Sequence, residues 1–406
     1  MKAHPLRDQI IQEVHARPFF DLQAPLALCH IAVAYEAEER KATAAHMLHL
    51  APQLGLNAKP ANSGFFYCRT NQWALRFEPH TDFFTVTLYH LQQLLPPSFP
   101  EEWLEKLPGQ LLCGNRLVLR AEASEPPSER DYLVQSLAEG KARIRTDFQP
   151  IGSQRFNLFN VQSLGIRSAQ TGRLLNLLCE IETYRHAALI SLPMARELMP
   201  KITNYDQQLA TIVERTTNGE DASSLLQDLT ALASSVEALS AISANRFSAS
   251  EAYFSLVDRR ISELREQKEE GLINIREFMD RHLAPAQTTC RACGNRINQL
   301  SERIARTTEL IRSQVSLNLE SQNRDLLSAI NIRTNRQLKL QAKVEGLTVI
   351  VVTYYAFDLL ERTLRNLLPV GEIQKNGLII LSAVVPLIAL ALYLYIRRIL
   401  NNLHKD

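Results

Sequence analysis

Apolar and polar positions follow two different rhythms along this chain, and the change comes between residues 162 and 171. In the first part apolar residues come in short runs. Leu26–Tyr35 (LALCHIAVAY) is apolar almost throughout, as a central strand would be. The stretches 65–69, 73–77 and 83–89 are aromatic and β-branched and are separated by turn residues, which predicts an antiparallel meander. Leu117–Glu122 reads as another strand. Lys141–Gln149 sets Ala142, Ile144, Thr146 and Phe148 against mostly charged neighbours, so it reads as a half-exposed strand with 154–159 as its partner. Helical periodicity is expected over 38–50, 101–106 and 129–137. The first unit is therefore an α+β domain of about five to seven strands over residues 1–162.

From Thr171 helix formers dominate. The pattern predicts helices over 174–189, 204–216, 222–244 and 248–281. Pro193, Pro200, Asn218-Gly219 and Asn245-Arg246-Phe247 are the expected breaks, and Ser248 with Glu251 three residues on fits a capping box. After Pro285 one very long helix is expected. Of the positions 297, 300, 304, 308, 311, 315, 319, 322, 326, 330, 333, 337, 340 and 344, ten are Ile, Leu or Val. Steps averaging about 3.6 residues keep that stripe on one face. Residues 163–345 thus form a helical bundle and a stalk, and a stripe of that length implies a homo-oligomer or a bundle that covers it.

The last part is the most apolar. Gly377–Ile396 (GLIILSAVVPLIALALYLYI) holds twenty residues without a charge, enough for a helix of about 30 Å. Gly346–Phe357 is a shorter apolar run. Continued to Leu368 it is either a first membrane helix with a polar side or a helix whose second half lies flat at the interface. With Pro369-Val370-Gly371 as the turn, residues 346–400 form a two-helix membrane anchor and 401–406 a cytoplasmic tail. Arg333, Arg336, Lys339 and Lys343 flank the entry and Arg397, Arg398 and Lys405 the exit. Both termini are thereby expected on the cytoplasmic side of a bacterial inner membrane, with the lipid bilayer as partner. Thr348, Tyr355, Asp358 and Arg362 recur on one side of the first helix. They are the candidate pore or polar membrane face, with Asp358 and Arg362 spaced as an i,i+4 pair and an inorganic ion as a possible cargo.

Composition narrows the chemistry. A net charge of +2 over 406 residues gives no basis for a nucleic-acid partner. The start holds no apolar run of signal-peptide length, so the α+β unit is expected in the cytosol. Six scattered cysteines in a reducing compartment read as small buried hydrophobes. Cys290-Arg-Ala-Cys293 lacks the further ligands a zinc site needs, and His46 and His49 lack the zincin pattern, so no metal and no cofactor are expected. Glu180, Glu182 and Arg185 read as helix ion pairs. The polar lead-in holds Arg7, Glu13, His15 and Arg17, candidate contacts for a ligand or anion or for docking of the arm. No phosphate loop, dinucleotide fingerprint or nucleophile elbow occurs, which argues against an enzyme.

The phrases HPLR, EVHARP, GRLLNLLCEIETYR, ESQNRDLLSAIN and QLKLQAKVEGLTVIVVTYYA resemble a bacterial family of uncharacterised, predicted membrane-anchored proteins, over nearly the full chain. In architecture the C-terminal half resembles the CorA-type magnesium transporters, but the Gly-Met-Asn signature is absent; residues 368–376 read LPVGEIQKN. The fold class expected is an α+β cytosolic domain, a long α-helical stalk and a C-terminal transmembrane helical hairpin of CorA-like architecture. Two functions follow as expectations. One is a membrane-anchored homo-oligomer acting as a CorA-like ion channel or transporter. The other is a membrane-tethered scaffold or sensor whose cytosolic domain binds a protein or small ligand.

Overall fold

The computed structural model describes residues 4, 7, 20–36, 39–57, 65–123, 132–152, 154–269 and 272–367, together with 377, 379–380, 383–384, 386–388, 390–391 and 393–395. The chain forms two compact units, Met1–Glu309 and Leu310–Asp406. The first is α+β. Its sheet has nine strands: β1 (Leu26–Ala34), β2 (Phe66–Arg69), β3 (Trp73–Pro79), β4 (Phe83–Leu91), β5 (Gln110–Arg120), β6 (Val134–Ala138), β7 (Ala142–Thr146), β8 (Asn157–Ser163) and β9 (Glu266–Gln267). Their order is β2-β3-β4-β1-β5-β8-β7-β6-β9, antiparallel at every junction but β5–β8. The helices are α1 (Arg40–Gln53), α2 (Glu101–Glu105), α3 (Ser168–Leu189), α4 (Ser191–Thr217), α5 (Ala222–Glu263), α6 (Ile275–His282) and α7 (Ala284–Leu367).

Period-2 alternation gives the sheet two cores. On one face Met47, Leu50 and Ala51 of α1 and Trp103 of α2 pack on Cys29, Ile31, Leu75, Phe77, Phe84, Val86 and Leu88. On the other, α3, α5 and α6 cover Leu28, Phe83, Leu117, Ile144, Phe159 and Val161. Each such side chain, fully buried, contributes about 1.5–3 kcal/mol. Gly172 lets α3 close onto the chain before β1, because a Cβ there would collide with the Phe20 carbonyl.

Several elements differ from the expected ones. Residues 134–138 are a strand, not the end of a helix. Glu139 (φ 50°) and Gly140 (φ 69°) turn it back onto β7, and the pairing outweighs the helix propensity of this short run. α4 continues through Pro200, which leaves only one carbonyl without its helical donor. α5 runs unbroken through Asn245-Arg246-Phe247, so Ser248 and Glu251 sit mid-helix and do not cap a new one; its N-cap is Asp221, which accepts from the Ser224 amide at 3.2 Å. α5 ends at Glu263, and β9 and α6 replace the rest of the expected helix.

α7 begins with Pro285 in its first turn, as expected. Ile297, Leu300 and Ile304 are buried in the first unit. In the second unit Leu319, Leu326, Ile330, Leu340, Val344, Leu347 and Val351 are 44% to 63% exposed. Among the described residues no helix is long and apolar enough to cross a membrane. This overturns the transmembrane hairpin, the CorA-like architecture and the placement in a bacterial inner membrane with both termini cytoplasmic. The apolar run 346–357 continues in α7 straight into Asp358, Glu361 and Arg362. The second expected span, 377–396, lies partly outside the described residues; those described there are helical.

One row of side chains between α3 and the sheet is polar. Register aligns Arg76 with Thr87, Thr87 with His30, His30 with Asn115 and Asn115 with Asn157, across β3, β4, β1, β5 and β8. All five are buried. α3 seals the row. Asn176 Oδ1 accepts from Arg76 at 2.9 Å, and Thr183 and Thr87 hydroxyls lie 3.1 and 2.8 Å from the two His30 ring nitrogens. Glu182, fully buried, takes Asn157 and also Arg185 at 2.8 Å. Glu180 reaches Arg260 of α5 at 2.5 Å. Burial, with Arg76 and His80 adding to it, pushes the His30 imidazole from 6.5 down to about 3. The folded pKa lies below the unfolded one, so the stability it confers is complete above pH 6.5 and is lost as pH falls from there toward 3, at about 1.4 kcal/mol per unit. Denaturant unfolding at pH 7 and pH 5 should therefore show His30→Gln losing about 2 kcal/mol less than wild type over that interval. Equal losses would mean that His30 titrates normally in the fold.

Candidate functional site

The polar row is closed to solvent, so it holds layers together and cannot receive a ligand from outside. An open concavity lies in the helical layer between α5 and α7. It is a cleft of about 430 Å³. α5 supplies Ser243, Phe247 and Glu251, and α7 supplies Cys290, Arg291 and Asn295. Phe254 and Ile297, both buried, complete an apolar floor. The Ser243 hydroxyl donates to the Leu239 carbonyl at 2.7 Å, which ties it to its own helix. Gly294 faces Phe247, where a Cβ would make only an ordinary contact with the ring at 3.7 Å.

The cleft has a charged boundary. Arg291 pairs with Glu251 across it, and Gln287 Nε2 donates to the same carboxylate at 3.5 Å. Beyond that pair lies a second hollow of about 310 Å³ with Asp258, Arg276, Asp280 and Gln287 on its wall. Arg276 and Asp258 are themselves paired at 2.9 Å. An apolar floor, hydroxyl and amide walls and a breakable ion pair make a binding geometry.

Cys290 and Cys293 are buried and not bonded to one another. The Ser191 hydroxyl lies 3.2 Å from Cys290 Sγ, and Cys293 Sγ is 3.8 Å from the Ala195 carbonyl, so the C-x-x-C pair packs α7 against α4. Burial raises the Cys293 pKa, with Cys290 adding to it. His46 stacks on Trp103 and bonds its carbonyl at 2.9 Å. Among the described residues no group of three or more His, Cys, Asp or Glu is placed to hold a metal ion.

The sequence-derived site residues lie elsewhere. Arg7 is exposed, with its amide on the His4 carbonyl at 2.9 Å; Glu13, His15 and Arg17 lie outside the described residues. Thr348, Tyr355, Asp358 and Arg362 are all on α7 in the second unit. Asp358 and Arg362 meet at 3.0 Å, and the Thr348 hydroxyl bonds the Val344 carbonyl at 2.9 Å. Sequence reasoning missed the cleft because the break expected at 245–247 cuts its α5 wall in two. The available signal was small residues on one helical face, Ser240, Ser243 and Ala244, opposite a mid-helix glycine, Gly294.

A family model described as a protein family of unknown function (DUF3422) matches residues 2–403. The chain belongs to that family. Neither a curated protein nor a solved structure matches it.

The six thiols provide a direct check of this packing. Ellman's reagent on native protein should label less than about one thiol per chain within minutes, and all six after unfolding, since buried thiols are inert. Fast labelling of Cys290 would show that the cleft floor opens to solvent.

Proposed function

We propose that this protein is a binding protein, a scaffold or sensor without catalytic activity, that takes a small polar ligand into the α5–α7 cleft. The single observation that carries this reading is the cleft itself: an apolar floor under Ser, Asn and ion-paired side chains, with Gly294 on the wall opposite Phe247. Its size suits one small ligand, and its lining suits a flat or cyclic molecule with several hydroxyls. The transport reading rests on a membrane hairpin and finds no footing among the described residues. Saturation-transfer NMR with adenosine, cytidine, myo-inositol and arabinose as probes tests the cleft. At least one should give a signal that Gly294→Phe abolishes while the fold, followed by circular dichroism, is retained. Silence from all four, or a signal indifferent to Gly294→Phe, sinks this reading.

A second reading is favoured by α7. From Ile330 its apolar positions 330, 340, 344, 347 and 351 fall on a 3-4 repeat completed by Arg333 and Gln337, a coiled-coil seam. A second copy of the chain would cover it with the same seam. Light scattering on the full chain should give a multiple of one chain's mass, and Leu340→Glu with Val344→Glu should reduce it to one. A monomeric wild type at all concentrations would remove the self-association.

A further inference from the structure

The sheet has a third surface. α1 and α2 cover one face only over β1–β4, and α3, α5 and α6 cover the opposite face. This leaves the outer face of β5, β8, β7 and β6, on which no described helix packs into either core. Its side chains are cationic and amide. Register aligns Arg120 with Gln162 and Gln162 with Arg143; in the next row Asn160 lies beside Arg145 and Arg145 beside Gln135. Arg116 stands one step further along β5, with its guanidinium 5.6 Å from the Phe156 ring centre. All four arginines are half-buried.

Their partners leave positive charge over. Glu269 takes Arg143 through both carboxylate oxygens, at 2.8 Å at the closest, accepts from Gln135 as well, and attracts Arg145 more weakly. Arg145 has the neutral Gln135 Oε1 at 2.7 Å and Arg116 the neutral Gln154 Oε1 at 3.1 Å. The buried Nε atoms of Arg116 and Arg120 have no hydrogen-bond partner. Among the described residues Arg116 and Arg120 have no acidic partner and Arg145 has only a share of Glu269, so these half-buried guanidinium groups repel one another. The charge that relieves this is a multivalent anion, and a planar guanidinium fork fits phosphate oxygens two at a time. The amides of Asn160 and Gln162 and the Tyr132 hydroxyl, which accepts from Asn160 at 2.9 Å, stand beside the arginines.

We propose that the open face of β5-β8-β7-β6 is a binding site for a phosphate-bearing small molecule, held by Arg116, Arg120 and Arg145. It is separate from the α5–α7 cleft and does not depend on that site's ligand.

Isothermal titration of the full chain with inorganic phosphate, pyrophosphate and ATP, at 100 mM NaCl, tests it. Pyrophosphate should bind, and should raise the thermal midpoint. Arg120→Gln and Arg145→Gln should each weaken binding about tenfold or more, the scale of a lost charge-assisted bond, while Arg196→Gln on exposed α4 should leave it unchanged. ATP and pyrophosphate of equal affinity would assign the phosphate group alone; ATP tenfold tighter would assign a nucleotide. Should one arginine variant fail to fold, judged by circular dichroism without ligand, the other carries the test. Absence of binding by all three anions, or affinity equal in wild type and the folded arginine variants, overturns the site.

Discussion

The helical layer is held on the sheet by the row of charge and polarity that α3 must seal. Removing one partner of a buried charge pair costs about 3–5 kcal/mol, comparable to the whole margin of many domains. α3 therefore has few acceptable positions. Asn176 must stand over Arg76 of β3, Thr183 over His30 of β1, and Glu182 over Asn157 of β8, which lays the helix across the strands. Hydrophobic contacts alone would tolerate a slip along the sheet; this sequence of partners does not. The next link is Glu180 with Arg260, which fixes α5. α5 is one wall of the cleft, so the cleft's shape is set from the sheet outward.

The sheet pays out its two faces unequally. Over β1–β4 both are covered, and apart from the polar row under α3 the buried strands read as near-continuous hydrophobic runs. Over β5–β9 one face still lies under helices, but the other carries Arg116, Arg120, Arg143, Arg145 and amides. This asymmetry gives the second half its clean alternation of apolar and polar residues. A chain of almost neutral net charge can still hold a locally cationic surface, because the arginines cluster on one sheet face while its acids are spread over the rest of the chain.

Much of the fold was legible wherever one physical rule acted alone. β1 to β4, α2 and the long course of α7 follow their periodicity. The rule failed where two competed. Residues 134–138 hold helix formers, but Glu139 and Gly140 in left-handed backbone allow a hairpin, and Val134, Ser136 and Ala138 then alternate inward as a strand requires. Pro200 and Asn245-Arg246-Phe247 are local helix breakers overruled by packing on the neighbouring helices, since Leu198, Ile202, Ser243 and Ser250 on either side are all buried. The cleft needed two helices brought together by tertiary structure, so its residues carried no motif. The arginine face was written in the sequence as Arg143 and Arg145 alternating with Ile144. Only the β5–β8–β7 register shows that Arg116 and Arg120 share it.

α7 shows why an apolar stripe specifies burial and not its medium. Ile297, Leu300 and Ile304 continue the same stripe as Leu326, Ile330 and Leu340, yet the former are buried in the first unit and the latter are exposed. Across residues 346–367, ten Leu, Ile, Val and Phe residues at about 0.3–0.6 kcal/mol each favour a bilayer by roughly 5 kcal/mol. Asp358, Glu361, Arg362 and Arg365 at about 2.5–3.5 kcal/mol each oppose it by roughly 12. The Asp358–Arg362 pair at 3.0 Å offsets part of that cost, though both side chains keep water contact in this structure. Charge in the second half of the run therefore decides against a span, whatever the apolar half would prefer.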